Sequence, residues 1–157
     1  MLLNCHSYYS LRFGTIPLTQ LVAAAQKLQI SALALTDIHT FYGVYDFIRL
    51  CQQANIKPLI GAEFRVNQRL QYIGIAKNQL GFTAMNQYIT LHNKTKQPFS
   101  KKAPDFAHTF VIYPLENCPS TLADHEYIGI KLNQRNLLYQ EQWKQLIHKM
   151  VILHPVT

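Results

Sequence analysis

Short apolar runs of strand length alternate along this chain with segments that have the apolar spacing of an amphipathic helix. One helical face carries Leu18, Leu21, Val22, Ala25 and Leu28, and a second carries Val44, Phe47, Ile48 and Cys51. The apolar runs lie at residues 1–5, 32–35, 59–66 and 70–76. Alternation of this kind predicts an α/β fold with a largely parallel sheet.

The second half of the chain continues the pattern less regularly. Asn78 is a good N-cap for a third helix, and further strands are predicted near 109–113, 127–132 and 150–153. A last helix is expected near 135–149. Seven strands with right-handed crossovers predict a small, irregular seven-stranded (β/α) barrel, with an open sheet as the alternative. Because only a short polar link separates 59–66 from 70–76, these two strands are expected to form a hairpin.

Length and composition favour a single globular domain over residues 1–157. Of the 157 residues, 48% are hydrophobic and 15% are charged, which is typical of a chain with a packed core. The sequence contains neither an apolar run of transmembrane length nor a secretory signal. Cys5, Cys51 and Cys118 are widely spaced and odd in number, which argues against a disulfide framework and favours a cytoplasmic protein.

The net charge of +7 raises the prospect of a polyanionic partner, although many basic proteins have none. The charge is concentrated in a linker-like stretch at about 93–104, which is expected to be an exposed, lysine-rich loop. Two interpretations remain open for this loop, namely contact with DNA or a partner protein, and simple solvation. The candidate nucleic-acid contacts are Lys94, Lys96, Lys101 and Lys102.

Three short motifs fall where an apolar strand gives way to a loop or turn. They contain His6 (4–7), Asp37 (36–39) and Glu63 (60–63). In a barrel built from βα units the carboxyl ends of the strands share one mouth, so these side chains are expected to converge. Histidine and carboxylate groups are the ligands of catalytic metal sites, which makes the three residues candidates for such a site.

Each of these residues also has a purely structural interpretation. His6 is then a hydrogen-bonded residue at a strand end. Asp37 accepts backbone N–H groups in the turn that leads to a helix near Phe41. Glu63, a carboxylate beside another carboxylate, needs a cation or a proton, and Arg12 or Arg65 is placed in sequence to supply the cation.

The order and spacing of four motifs resemble the PHP (polymerase and histidinol phosphatase) domain, as found at the N-terminus of the bacterial DNA polymerase III alpha subunit. The similarity is dense over residues 1–93 and thin beyond them. It is carried by Cys-His-Ser-Tyr-Tyr-Ser-Leu, Ala-Leu-Ala-Leu-Thr-Asp, Ile-Lys-Pro-Leu-Ile-Gly-Ala-Glu, and Ala-Lys-Asn followed by Gly-Phe. The resemblance implies a PHP-type barrel that is an isolated domain or a fragment of a larger polymerase subunit.

The chain departs from the pattern of the active family at most of the metal-ligand positions. His6, Asp37 and Glu63 match it, whereas Asn4, Phe13, Ile38 and Gln71 stand where ligands would be, and 155–157 align weakly with a terminal Asp-x-His. Ile and Phe have no lone pair to donate, and neutral amide oxygens are poor ligands for zinc-like ions. Catalytic zinc keeps about three protein ligands, and a two-metal site needs more.

The resemblance therefore implies a domain with a degenerate metal site, no cofactor and no catalysis of its own. For the parent protein it implies DNA-directed DNA polymerase activity, a nucleotidyl transfer. The implied partners are the remainder of the polymerase subunit, the proofreading exonuclease subunit and, through the parent, DNA, with no membrane. The alternative is a metal-dependent phosphoesterase or 3′–5′ exonuclease that binds Zn or Mn through His6, Asp37 and Glu63, with His39 or His154 recruited.

Overall fold

The computed structural model describes residues 1–157 apart from the side chain of Gln142. Within the described chain, the strands form a single sheet of seven in the order in which they occur in sequence. They are β1 (Leu2–Cys5), β2 (Ala32–Leu35), β3 (Lys57–Val66), β4 (Arg69–Ala76), β5 (Thr109–Pro114), β6 (Glu126–Ile130) and β7 (Met150–Ile152).

Three full-length helices and several short helical turns connect the strands. The full-length helices are α1 (Leu18–Lys27), α2 (Val44–Gln53) and α3 (Gln79–Thr95), and α4 (Glu141–Lys144) is a single turn. Segments of 3-10 helix cover Leu115–Asn117, Leu132–Tyr139 and Ile147–Lys149. No helix in the described part of the chain is both long enough and apolar enough to cross a membrane.

The sheet curls into a barrel, so that the ends of its strands form two distinct ends of that barrel. Strands β1, β2 and β3 are parallel, β4 is antiparallel to both of its neighbours, and β5, β6 and β7 are parallel again. Beyond β7, Val156 returns to β1 and forms a parallel bridge with Cys5. The upper end therefore gathers the carboxyl ends of every strand except β4. The lower end gathers the amino ends.

Apolar residues fill the space inside the sheet and the two layers outside it. The interior contains Ala34, Ile73, Ile75, Ile112 and Leu153. The predicted apolar faces of α1 and α2 pack on the outside of β1 and β2, as expected from the spacing of their residues. Leu28 is the exception, because it lies past the end of α1 and is exposed. The outer layer over β3–β5 is built from α3 together with Phe99, Ala103 and Phe106.

The predicted hairpin is confirmed as β3 and β4, whose turn places Asn67 and Gln68 at positive φ. Such values suit a two-residue hairpin turn because its twist matches that of the strands. Asn78 also caps α3 as predicted, since its side-chain oxygen accepts the N–H groups of Leu80 and Gly81.

The last predicted helix, at 135–149, is wrong. That region consists instead of the 3-10 segments Leu132–Tyr139 and Ile147–Lys149 with the one-turn α4 between them. The 3-10 segments bury none of their described residues. A helix that lacks a buried apolar face has little tertiary packing to stabilise it. The helical spacing of a few apolar residues in this segment was therefore insufficient to predict a helix.

The lysine-rich stretch is less linker-like than its composition indicates. Its lysines are exposed, but α3 extends to Thr95, and Phe99 and Ala103 are buried against the α3 layer. Phe99 packs on the rings of Phe64 and His92. The loop is therefore anchored at two points to the core.

The packing of α3 predicts a large difference between two substitutions in that helix. Met85 is fully buried, so Met85→Ala should lower the free energy of unfolding by about 2–5 kcal/mol through lost apolar contact and a cavity. Leu91→Ala is the matched control because Leu91 is 56% exposed, and it should change stability by less than about 0.5 kcal/mol. Urea denaturation measures both values, and equal effects would contradict this packing of α3.

Candidate functional site at the barrel mouth

A polar cavity of about 650 Å³ opens at the upper end of the barrel. We call this cavity the mouth. Its lining residues are Asn4, Glu63, Arg65, Gln68, Arg69, Leu70, Gln71, Lys101, Glu116, Asn117, Lys131, Leu153 and Pro155. The carboxyl ends of several strands contribute to it, as a βα barrel predicts.

Asp37 is buried beneath serine side chains of the loop that follows β1. Its carboxylate accepts the Ser7 N–H at 2.7 Å, the Ser7 hydroxyl at 2.7 Å and the Ser10 hydroxyl at 2.6 Å. Burial raises the pKa of Asp37, and the bonds from Ser10 and Ser7 and the nearby His6 oppose that rise. The predicted bonds to the turn near Phe41 are thus replaced by bonds to the β1 loop.

The loop that carries Ser10 is held close to the end of β1 by a glycine. A Cβ atom on Gly14 would lie 1.9 Å from the carbonyl oxygen of Ser7, so a larger residue there would push the loop away. Ser10 also accepts the Ile38 N–H at 3.0 Å, which links the loop to the residue after Asp37. Ser7 and Ser10 complete the site, and their proximity to His6 along the chain was the only sequence signal for them.

Glu63 lies between His6 and Arg65 at the end of β3. Arg65 Nη2 donates to both carboxylate oxygens, at 3.0 Å to Oε1 and 3.2 Å to Oε2. His6 Nε2 contacts Oε2 from the other side. Glu63 and His6 are each only 1% exposed, so the buried carboxylate is matched by a cation at short range.

Arg65 is held in place through both its side chain and its backbone. The guanidinium carbon lies 4.3 Å from the centre of the Phe13 ring, within the range of a cation–π contact. The backbone N–H of Arg65 donates to His39 Nε2 at 2.7 Å. Of the two arginines proposed for Glu63, Arg65 is therefore the one that binds it, and Arg12 is exposed.

The ring of His39 binds the backbone of β3, where its Nε2 accepts the Arg65 N–H. His39 adopts a φ of 54° and its ring packs on Phe99. Burial lowers the pKa of His39, which suits a neutral ring nitrogen that accepts a hydrogen bond. His154, the second histidine considered for recruitment, is exposed.

The substituted positions are also occupied by structural contacts. Asn4 accepts a hydrogen bond from the Thr36 hydroxyl at 3.0 Å. Ile38 pairs with the backbone of Glu63. Gln71 is the extra residue of a β-bulge opposite Arg65, and its side-chain and main-chain oxygens accept bonds from Asn117.

The two ring nitrogens of His6 are hydrogen-bonding groups that its surroundings do not fully satisfy. Within the described structure neither of its ring nitrogens makes a hydrogen bond of regular geometry, although Nε2 touches Glu63. The expected hydrogen-bonded strand-end role of His6 is therefore only partly realised. A buried unpaired polar atom is costly and marks a position where a partner is missing.

The donor set at the mouth does not fit the metal ions that bind PHP-type sites. Asp37 is directed to Ser7 and Ser10, and both oxygens of Glu63 are bound by Arg65. Among the described residues no group of three or more His, Cys, Asp or Glu side chains is placed to hold a metal ion. A guanidinium group at the carboxylate competes directly with a cation for the same oxygens.

Positive side chains surround the mouth instead. Lys101, from the lysine-rich loop, lines it together with Arg65, Arg69 and Lys131. Lys131 is paired with Glu116 at 2.9 Å. Lys94, Lys96 and Lys102 are exposed on the nearby α3 terminus and loop. Arg69 and Lys131 were not identified from the sequence. Lys131 follows the carboxyl end of β6, where the positional rule applies, whereas Arg69 begins the antiparallel strand β4, to which the rule does not extend.

The Glu63–Arg65 pair predicts a stability loss that a second substitution reverses. Arg65→Met leaves Glu63 buried without its cation and should lower the free energy of unfolding by about 3–5 kcal/mol. The double variant Glu63→Gln, Arg65→Met removes both charges and should recover most of that loss. Arg69→Met, at an exposed neighbouring arginine, is the control. Chemical denaturation at neutral pH of these variants and of the single variant Glu63→Gln completes the double-mutant cycle, and an additive double variant would refute the pairing.

Comparison with known proteins relates this chain to the PHP domain family and to part of several DNA polymerases. Residues 3–148 match the PHP domain family. The DNA polymerase III subunit alpha of Mycoplasma genitalium is 31% identical over 141 residues, which are 85% of this chain and 16% of that protein. The corresponding subunit of Chlamydia trachomatis is 45% identical over 64 residues, which are 41% of this chain and 5% of that protein.

Two further similarities are to a different type of DNA polymerase and to a solved structure. An error-prone DNA polymerase of Symbiobacterium thermophilum is 31% identical over 82% of this chain and 12% of that protein. An amidohydrolase structure from Chromobacterium violaceum has a TM-score of 0.45 and 19% identity over 60% of this chain and 34% of that one.

The chain spans 5–16% of the length of the three polymerase relatives. The family match, by contrast, extends over almost the whole sequence. The chain therefore belongs to the PHP domain family and is homologous to a region of DNA polymerase III alpha subunits.

Proposed function

We propose that this chain is a non-catalytic PHP domain of a DNA polymerase III alpha-type subunit and that its role is structural support and partner docking. The observation that carries the proposal is the Arg65 guanidinium group on both oxygens of Glu63. That arginine supplies the positive charge a metal ion would otherwise bring. The buried carboxylate is thereby neutralised, while water activation by a metal is lost.

The remaining ligand candidates support the same conclusion. Asp37 is committed to three bonds from Ser7 and Ser10. Asn4 and Gln71 form hydrogen bonds with neighbouring side chains, and Ile38 has no lone pair to offer. Three ligands, two of which are engaged elsewhere, fall short of the number that a polynuclear site requires.

The proposed context is a replicative polymerase, because the three relatives found by sequence similarity are DNA polymerases or their alpha subunits. The parent would catalyse DNA-directed DNA synthesis by nucleotidyl transfer in the cytoplasm. Its remaining regions are one partner of this domain, and a proofreading exonuclease subunit is the second. The thiols of Cys5, Cys51 and Cys118 are all free, as suits a reducing compartment.

A metal-dependent phosphoesterase or 3′–5′ exonuclease with an atypical site is the alternative. The specific observation in its favour is His6, whose buried ring nitrogens lack regular partners in the described structure. Zn or Mn at His6 and Glu63 would require Arg65 to leave the carboxylate. The two functions therefore differ in a measurable property, which is the metal content of the protein.

The non-catalytic function predicts that the protein retains no stoichiometric metal. After incubation with Zn²⁺ or Mn²⁺ and gel filtration, elemental analysis should give the same low content for the wild type and for the variant His6→Ala, Glu63→Gln. Hydrolysis of bis-p-nitrophenyl phosphate and of 3′-labelled single-stranded DNA should also be equal for both proteins. One equivalent of metal that is lost in the variant would establish the phosphoesterase alternative.

A contribution to DNA binding is supported by the charge around the mouth. Lys101 lines the cavity beside Arg65, Arg69 and Lys131, so the lysine-rich loop adds to a larger positive surface. Positive side chains that contact phosphates release counterions, and the resulting affinity depends strongly on salt. Within the parent polymerase this surface would contact DNA without reading its sequence.

Replacement of Lys94, Lys96, Lys101 and Lys102 by alanine should reduce the salt dependence of DNA binding. Each lysine that contacts a phosphate of duplex DNA contributes about 0.9 to the slope of log K against log salt concentration. Alanine at Lys27, Lys57, Lys77 and Lys149, which lie away from the mouth, is the charge-matched control. Fluorescence anisotropy with a labelled duplex measures the slopes, and identical slopes would show that the loop is only solvated.

A further inference from the structure

A second cavity, of about 600 Å³, opens at the lower end of the barrel, opposite the mouth. We call it the lower groove. Aliphatic and aromatic side chains supply most of its wall. Its lining residues are Met1, Leu3, Val44, Tyr45, Ile48, Lys57, Pro58, Leu59, Ile60, Ile75, Ala76, Lys77, Asn78, Gln79, Phe82, Phe110, Ile112, Tyr127 and Val151.

The lower groove follows the start of β3 around the rim of the sheet. Leu59 belongs to the interior cluster, whereas the next residue, Ile60, packs with the α1–α2 layer on the outside. Both line the groove, so it joins the inside of the barrel to the outer surface between α2 and α3. An elongated apolar chain fits this shape better than a compact polar group does.

Several large apolar side chains around the groove are in contact with water. Tyr45 is 80% exposed, Met1 67% and Phe110 40%. Isolated exposed apolar residues are normal, but a contiguous set around a concave surface is typical of an interaction site. Burial of such surface favours binding, and the affinity is what remains after the entropic costs of association.

The charges at the groove indicate the sign of the charge that a partner should carry. Among the described lining residues the charged side chains are Lys57 and Lys77, both exposed and both positive. Lys77 Nζ lies 4.6 Å from the centre of the Phe110 ring, so positive charge and apolar surface are adjacent. A partner that combines apolar side chains with carboxylates would match both features.

The start of β3 offers a partner mainly side chains. Lys57–Ile60 pair with β2 along one edge, and β4 pairs with β3 from Gly61 onward. Pro58, in the middle of the groove stretch, has no N–H to donate to an added strand. We therefore expect recognition to depend on side chains that enter the groove, as when an amphipathic segment binds a hydrophobic surface.

We propose that the lower groove docks a peptide segment of a partner protein, in which apolar side chains enter the groove and neighbouring carboxylates pair with Lys57 and Lys77. The inference rests on the docking role proposed above and adds to it the surface and the chemistry of the partner. The mouth plays no part in this contact, because the two cavities share no lining residue.

A selection with a random twelve-residue peptide library displayed on phage tests the proposal with the full chain as target. Counter-selection uses the variant Lys57→Glu, Lys77→Glu, whose exposed positions tolerate substitution and whose fold is checked by circular dichroism. The matched control is Lys96→Glu, Lys102→Glu, with the same charge change on the exposed loop near the mouth. Selected peptides are then synthesised, and their affinities are measured by fluorescence anisotropy.

The enriched peptides should combine apolar residues with Asp or Glu. Their affinity should fall about tenfold for Lys57→Glu, Lys77→Glu, because two attractive contacts become repulsive, and should be unchanged for the control variant. It should also fall for Tyr45→Ala, which removes an exposed apolar wall. Peptides without carboxylates, equal binding to both charge variants, or no enrichment over an uncoated surface would each overturn the proposal.

These outcomes are separable from those of the proposed function. A protein that binds stoichiometric metal at His6 and Glu63 would refute the non-catalytic domain and leave the peptide result standing. A metal-free protein that selects no groove-dependent peptide would refute only the docking surface at the lower end.

Discussion

The buried carboxylates at the barrel mouth impose the constraint on which the upper half of this structure depends. Asp37 and Glu63 are each 1% exposed, and a carboxylate that leaves water needs a cation, a proton or several hydrogen bonds. Asp37 is satisfied by hydroxyl and N–H donors from the β1 loop, and Glu63 by Arg65. Each solution ties neighbouring elements together, so the same contacts that neutralise charge also fix the strand ends.

These two solutions hold the strand ends together at the upper end of the barrel. A hydrogen-bonded aspartate joins β1 to β2, and the Glu63–Arg65 pair is supported by Phe13 and His39. Asn4 and Gln71 form further hydrogen bonds at the same end, with Thr36 and Asn117. The upper end is thus a structural joint that positive side chains line.

The two ends of the barrel differ in chemistry, and the difference follows from strand direction. Loops after the carboxyl ends carry the polar and charged side chains of the mouth. The amino ends meet around the apolar lower groove, whose wall includes the incompletely covered starts of β3, β5 and β6. A domain with one positive, polar end and one apolar end is suited to contact two different partners at once.

The sequence by itself determined the alternation of strands and helices, the buried faces of α1 and α2, the cap of α3, the β3–β4 hairpin and the family. These features depend on local periodicity, caps and motif order, all of which are properties of nearby residues. Tertiary structure alone decided that Asp37 binds Ser7 and Ser10, that Arg65 rather than Arg12 neutralises Glu63, and that the final segment forms 3-10 turns. Those outcomes depend on which distant groups meet in the folded chain and on how much apolar surface each segment buries, and neither quantity is encoded in local spacing.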